Sequence, residues 1–187
     1  MPKLFAITAP SGGGKTSVIK VLLERHPDIE FSVSATTREK RQDESDGKDY
    51  FFLQKKEFER MIAGGELVEY EHFFDHYYGT LKREVDRALT AGHSMIFDVD
   101  VKGALSIKKM YGNTAVLIFI KPPSTEVLEQ RLRNRKTESD EKVHTRLKRA
   151  AMEMKTGEQF EYVVVNDQLD RAIDEVDTII TQHISHS

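Results

Sequence analysis

The sequence predicts an α/β fold in which strands alternate with helices around one parallel sheet, and three observations predict it. A short apolar segment runs into three consecutive glycines and then an amphipathic helix. The same strand-then-helix alternation returns later in the chain, and the last helix carries a continuous apolar stripe. Strands alternating with helices build parallel βαβ units.

Each element follows from local pattern. Lys3 to Thr8 is short and apolar, Gly12-Gly13-Gly14 break it, and Thr16 to His26 places Ile19, Leu22 and Leu23 at helical spacing. Between Ser34 and Gly92 the pattern changes. A polar loop with Asp46-Gly47, an aromatic run Tyr50-Phe51-Phe52 and a short helix bearing Phe58, Met61 and Ile62 before Gly64-Gly65 read as an insertion with its own small core. Ser94 to Asp98 is strand-like before a helix over Val101 to Tyr111, and Ala115 to Ile120 is strand-like before a helix over Ser124 to Arg135. Pro122-Pro123 stops the strand, and the Ser124 hydroxyl caps the helix after it. Arg131 to Lys155 is dense in Arg, Lys and Glu and predicts helix on both sides of Lys136 to Asp140. Tyr162 to Val165 is a last strand, and Leu169, Ala172, Ile173, Val176 and Ile180 share one face of the terminal helix.

Bulk properties narrow the function. A chain of 187 residues suits one domain with a single main core, and 39% apolar with 32% charged residues is a globular composition. There is no cysteine, so disulfides, thiolate metal sites and cysteine nucleophiles are excluded together, and a cytoplasmic setting is expected. The amino terminus reads directly into a strand, so no secretion signal is expected, and the apolar run Ala115 to Ile120 is far short of the roughly 20 residues that cross a bilayer. A net charge of −3 argues against a nucleic-acid partner and requires any anion site to be built locally.

Ala9-Pro10-Ser11-Gly12-Gly13-Gly14-Lys15-Thr16 matches the phosphate-loop pattern G-x-x-x-x-G-K-[ST] except that Ala9 stands at the first glycine. Glycines let backbone N–H groups converge on phosphate oxygens, and the helix that follows directs its positive end at the same anion. Lys15 would reach the β- and γ-phosphates, and the Thr16 hydroxyl would ligate the Mg²⁺ between them. A plain glycine turn between strand and helix would not require Lys-Thr immediately after it. The loop alone does not separate a GTPase, an ATPase and a small-molecule kinase.

Beyond that loop, the segments Phe31-Ser32-Val33-Ser34-Ala35-Thr36-Thr37-Arg38, Gly47-Lys48-Asp49-Tyr50-Phe51-Phe52, Glu69, Tyr77-Tyr78-Gly79-Thr80, Asp98-Val99-Asp100 and Val165-Asn166-Asp167 occur in an order that resembles the guanylate kinase family over nearly the whole chain. The resemblance implies a parallel sheet of the P-loop NTPase type with helices on both faces. It makes residues 1–187 one domain, with a core (1–33, 93–130, 157–187), a GMP-binding lobe near 34–92 and a lid near 131–156. It implies transfer of the ATP γ-phosphoryl group to GMP, with dGMP a second candidate acceptor and Mg²⁺ as cofactor. Arg38 and Arg41 would hold the acceptor phosphate with Tyr50 and Tyr78, as guanidinium forks and phenol hydroxyls suit phosphate.

Guanine offers donors at N1 and N2 and an acceptor at O6. By the same resemblance, Glu69 and Asp100 with the hydroxyls of Ser34 and Thr80 would complement it, and adenine would mismatch two of these edges. Taken without the resemblance, Glu69 reads first as a strand-edge charge and Asp100 as a helix cap. Arg131 and Arg135 are four apart and Arg146 and Arg149 three apart, spacings that present several cations to one phosphate chain. The resemblance gives Arg135 and Arg146 the transferring phosphoryl group, with Arg131 nearby and a weaker case for Arg149. Asn166 and Asp167 would lie on the adenine side or simply start the last helix. Asp98, at a strand end, would stand near Mg²⁺.

The chain departs from the family pattern at Ala9, at Asp43 and Lys136 where glycine is frequent, at Lys102 where Gln is usual, and at Thr80, which keeps the hydroxyl of the usual Ser. Two other functions share the fold: a non-catalytic interaction module, which Lys15-Thr16 argue against, and a kinase of a ribose bisphosphate, which would not need Glu69, Asp100 and Thr80. Oligomeric state has no signature in the sequence.

Overall fold

A computed structural model describes residues 1–73, 75–133 and 140–185. Along the chain the strands and helices are β1 (Leu4–Thr8), α1 (Lys15–Arg25), β2 (Glu30–Phe31), β3 (Ala35–Thr36), β4 (Phe51–Phe52), α2 (Lys55–Ala63), β5 (Leu67–Phe73), β6 (His76–Leu81), α3 (Lys82–Thr90), β7 (Met95–Asp98), α4 (Val101–Tyr111), β8 (Ala115–Lys121), α5 (Thr125–Arg133), α6 (Asp140–Gly157), β9 (Tyr162–Val165) and α7 (Leu169–Ser185).

Every residue of β1 is buried, because strands of an all-parallel sheet are covered on both faces and read as continuous apolar runs. β1 is central in a five-stranded sheet of order β2-β7-β1-β8-β9, with every pairing parallel. One face packs Phe5 and Ile7 on Val18 and Leu22 of α1 and on Ile173, Val176 and Ile180 of α7. The other packs Leu4, Ala6 and Phe97 on Ala104 and Ile107 of α4. Ile7 pairs with Asp98 and Thr8 with Phe119, so the loop after β1 and the acid ending β7 emerge together at the carboxyl edge of the sheet. In open α/β sheets that edge is where ligands bind.

The insertion forms a second sheet of order β4-β3-β6-β5, closed over its own core of Ala35, Phe58, Met61, Leu67 and Leu81. Its join to the main core is apolar: Val68 of β5 and Val85 and Ala88 of α3 lie in the same cluster as Phe97 and Ala104. A register irregularity between Leu67 and Glu69 separates the buried pair Leu67-Val68 from the half-buried Glu69. The Ser124 hydroxyl accepts from the Val127 N–H at 3.3 Å, as the capping argument expects. α5 and α6 pack on each other through Leu128, Leu132, Val143 and Ala150. Among the described residues no helix is long and apolar enough to cross a membrane.

Candidate active site

The loop after β1 is shaped by its own backbone. Gly13 N–H donates to the Pro10 carbonyl at 2.8 Å, and Gly12 (φ 89°) and Gly14 (φ 91°) take the left-handed conformation that only glycine adopts without strain. A Cβ on Gly13 would meet the Ala9 methyl and the Pro10 carbonyl oxygen, each at 2.9 Å. The chain therefore accommodates Ala9 by turning its methyl onto a residue that has no side chain. Asn166, buried at the end of β9, donates its amide to the Gly13 carbonyl at 2.8 Å, and its own carbonyl accepts from Arg131 at 3.0 Å. The structure thus places Asn166 as a brace for the loop. Asp167 accepts from the Gln168 N–H and pairs with Arg171, which is work at a helix start.

Lys15 reaches across to β7, where its ammonium meets Asp98 Oδ1 at 2.6 Å and donates to the Val99 carbonyl at 2.8 Å. Thr16 is exposed in the first turn of α1. Arg146 of α6 donates to the Ser11 hydroxyl at 3.3 Å, which puts an α6 arginine against the loop. Arg135 and Lys136 lie outside the described residues.

On the inserted lobe Arg38 forks onto Glu44, at 2.7 Å to Oε1 and 3.0 Å to Oε2. Its guanidinium carbon stands 5.3 Å from the centre of the Tyr50 ring and 5.8 Å from that of Phe52. The Arg38 pair, helped by the Arg41 N–H at 2.8 Å, holds the Glu44 carboxyl down at about 2, and Glu44 with Tyr78 pushes the Arg38 pKa up. Tyr50 and Tyr78 meet edge to face at 6.2 Å, so Arg38, Tyr50 and Tyr78 form one cluster with the exposed Arg41 at its rim.

Glu69 and Asp100 approach each other from the two sheets. Thr80 donates its hydroxyl to Glu69 Oε1 at 2.6 Å, while Oε2 faces Gly103, 3.3 Å from where a Cβ there would stand. Burial pushes the Glu69 carboxyl up, and the charges of Asp100 and Glu71 add to the shift. Asp100 caps α4, its Oδ1 accepting the Gly103 N–H at 2.8 Å, and its Oδ2 pairs with Arg149 at 3.2 Å. The capping reading and a ligand role are therefore compatible, since Oδ1 serves the helix while the carboxylate still faces a cavity of about 410 Å³ lined by Glu69, Glu71, Asp100, Lys102 and Gly103. Ser34 is half-buried beside β3, its carbonyl taken by the Phe51 N–H at 2.9 Å.

Three participants escaped the sequence reading. Glu44 stands three residues after Arg41 in a loop without periodicity, so only the fold shows that it meets Arg38. Glu71 faces Arg149 from the lobe. Glu153, half-buried on α6, carried the one usable signal, its i,i+4 spacing from Arg149.

A glycine loop at the carboxyl edge of a parallel sheet, with a separate small sheet that carries Arg38, Tyr50 and Tyr78 in one cluster, is the arrangement of a P-loop nucleoside monophosphate kinase. That is the class the fold and site define. The family model described as guanylate kinase matches residues 1–183. A guanylate kinase of Chlorobaculum tepidum is 48% identical over 97% of this chain and 93% of its own length. That of Thermotoga maritima is 44% identical over 95% of this chain and 86% of its own. The crystal structure of guanylate kinase from Anaplasma phagocytophilum superposes with a TM-score of 0.75 at 32% identity, covering 97% of this chain and 86% of that one. The chain belongs to the guanylate kinase family.

Proposed function

We propose that this chain transfers the γ-phosphoryl group of ATP to GMP, releasing ADP and GDP, through the residues gathered at the carboxyl edge of the sheet. The observation that carries the acceptor assignment is the division of labour on Glu69, with one oxygen held by Thr80 and the other turned toward Gly103 beside Asp100. Two carboxylates with unspent lone pairs suit the N1 and N2 donors of guanine. Adenine would leave both unpaired, and a baseless ribose bisphosphate would give neither a partner.

In this reading backbone N–H groups from Gly12 to Thr16 hold the ATP phosphates, aided by Lys15, Arg131 and Arg146. Arg38, Arg41, Tyr50 and Tyr78 hold the GMP phosphate, with Ser34 and Thr80 completing the base pocket. Arg135 joins the cations of the lid, and Ala9, Pro10, Ser11, Asn166 and Asp167 shape the ATP side. Phosphoryl transfer proceeds through a loose transition state with charge on the equatorial oxygens, so cations fixed on both sides of the transferred group supply the rate.

The Thr16 hydroxyl and the Asp98 carboxylate are hard oxygen donors at adjacent ends of α1 and β7, and Asp98 Oδ1 already faces the Lys15 cation. That set fits Mg²⁺, which takes one or two protein oxygens plus phosphate and water. The ion would neutralise charge on the β- and γ-phosphates. A cytoplasmic reaction accords with the lack of cysteine, and a net charge of −3 gives no general affinity for nucleic acid.

Purified protein supplied with ATP and Mg²⁺ is assayed for ADP release against GMP, dGMP, AMP, CMP and UMP. GMP should exceed AMP in kcat/KM by on the order of 10⁴, because the wrong base leaves buried acceptors unpaired. Equal rates with GMP and AMP refute the base-reading assignment.

A further inference from the structure

Arg149 sits on α6 among three carboxylates from three elements. Its Nε meets Glu153, one turn along the same helix, at 2.9 Å, and its Nη2 meets Asp100 at the start of α4 at 3.2 Å and Glu71 on β5 at 3.4 Å. Three carboxylates converge on this one guanidinium, and burial pushes the Glu153 carboxyl up, with the Arg149 bond opposing the shift and the Asp100 charge adding to it. A phosphate oxygen placed there would be repelled by those acids, whereas the N–H donor edge of a purine would be attracted by them.

The geometry of Asp100 shows what the guanidinium does. A carboxylate has about four lone-pair sites, and here the Gly103 N–H occupies one on Oδ1 and Arg149 one on Oδ2. Held at both oxygens, the carboxylate is fixed in its plane with a lone pair remaining on each for the cavity. Three residues before Arg149 on the same helix, Arg146 donates to Ser11 of the phosphate loop at 3.3 Å. One helix therefore touches the ATP loop with one arginine and the carboxylate of the base pocket with the next.

We infer that Arg149 is a positioning residue that fixes Asp100 for the acceptor base and links it to the lid helix, and that it is not one of the cations of the transferred phosphoryl group. This rests on Asp100 being a base contact. Glu71 and Glu153 hold the guanidinium in place from the lobe and from the helix, so α6 is bonded at one arginine to the glycine loop and at another to the acceptor pocket.

Steady-state kinetics with GMP and ATP varied separately tests this on Arg149→Gln, Arg149→Lys, Asp100→Asn and the Arg149→Gln/Asp100→Asn double variant, with thermal melting of each as a check on folding. Arg149→Gln should raise KM for GMP about tenfold, the effect of losing a charge-assisted bond, while KM for ATP stays within about twofold. Arg149→Lys, which keeps the charge but loses the fork, should fall between the two. The double variant should have a KM for GMP no higher than Asp100→Asn alone, since Arg149 acts through that carboxylate. If Arg149→Gln instead lowers kcat and raises KM for ATP with KM for GMP unchanged, the residue is a phosphate cation and the inference falls. Multiplying effects in the double variant overturn it as well. An Asp100→Asn enzyme with unchanged KM for GMP overturns the reading of Asp100 itself, and with it what is built on it.

Discussion

Gly14→Ala tests how the phosphate loop is held, because two separate costs meet at one atom. Gly14 has φ 91°, where a side chain costs about 1–2 kcal/mol. Its new methyl would also land on the Asn166 amide nitrogen, which donates to the buried Gly13 carbonyl at 2.8 Å. Displacing that amide leaves a buried acceptor unpaired, at about 1–3 kcal/mol. Together the single substitution should destabilise the protein by about 2–5 kcal/mol, and a chain of this size loses about 2–4 °C of Tm per kcal/mol, so a fall on the order of 10 °C is expected. Asn166→Ala loses the same hydrogen bond by another route. In the double variant the methyl finds the space that Asn166 vacated, so the cost should be about 1–2 kcal/mol less than the sum of the singles. Denaturant unfolding of the four proteins measures this coupling, and KM for ATP should rise in both single variants as the loop loses its shape. If the two substitutions prove additive within about 0.5 kcal/mol, Asn166 is not the brace of the loop.

Three further outcomes follow from the charges. The Glu69 carboxyl is raised above the ordinary range, so it takes up a proton earlier than a free carboxylate as pH falls; KM for GMP should climb on acidification from above pH 4.5, and Glu69→Gln should raise KM and flatten that limb. Glu44 runs the other way: its folded pKa is lowered to about 2, so the stability it adds is present above about 4.5 and fades as pH falls toward 2, and melting curves of Glu44→Gln and the parent should converge across that window. Lys15→Ala and Arg38→Ala should each abolish turnover with far-UV circular dichroism unchanged, since both side chains lie at the site edge and neither belongs to an apolar core; retained activity in either removes its assigned role.

The parts of the fold that were legible are those that repeat a physical period. β1 and β8 read as buried strands because a parallel sheet demands uninterrupted apolar runs, and α7 because its stripe recurs at three and four residues. β3 and β4, two residues each, are too short to carry any period, and only the pairing of β3 with β6 and of β4 with β3 reveals them. The site divides in the same way. Lys15 and Thr16 are fixed by a contiguous loop, whereas Glu69 and Asp100 meet only because β5 packs beside α4, a contact between distant segments that no local pattern encodes. Asn166 shows the limit most clearly. Its residue type and place at a strand end suit a base contact, a helix start or a brace equally, and the hydrogen bond to Gly13 is what places it against the loop.

Cations destined for phosphate pose a problem of their own, because a guanidinium or ammonium in a half-buried cleft costs several kcal/mol unless something neutralises it. Here Lys15 has Asp98 and Arg38 has Glu44, in both cases through a short bond to a side chain that is itself mostly withdrawn from water. The same acids do not simply cancel the field. Asp98 meets the Lys15 ammonium at its tip while the Thr16 end of the loop stays exposed, and Glu44 takes one fork of Arg38 while Tyr50 and Phe52 stack on its face, so each cation is oriented as well as neutralised. A guanidinium carries five donors, and the two that Arg38 spends on Glu44, with the one it gives to the Glu39 carbonyl, leave others for a phosphate. In the proposed function the cations that phosphate binding demands are therefore carried as pairs whose acids hold the geometry, which lets a chain with a net charge of −3 build its anion site locally.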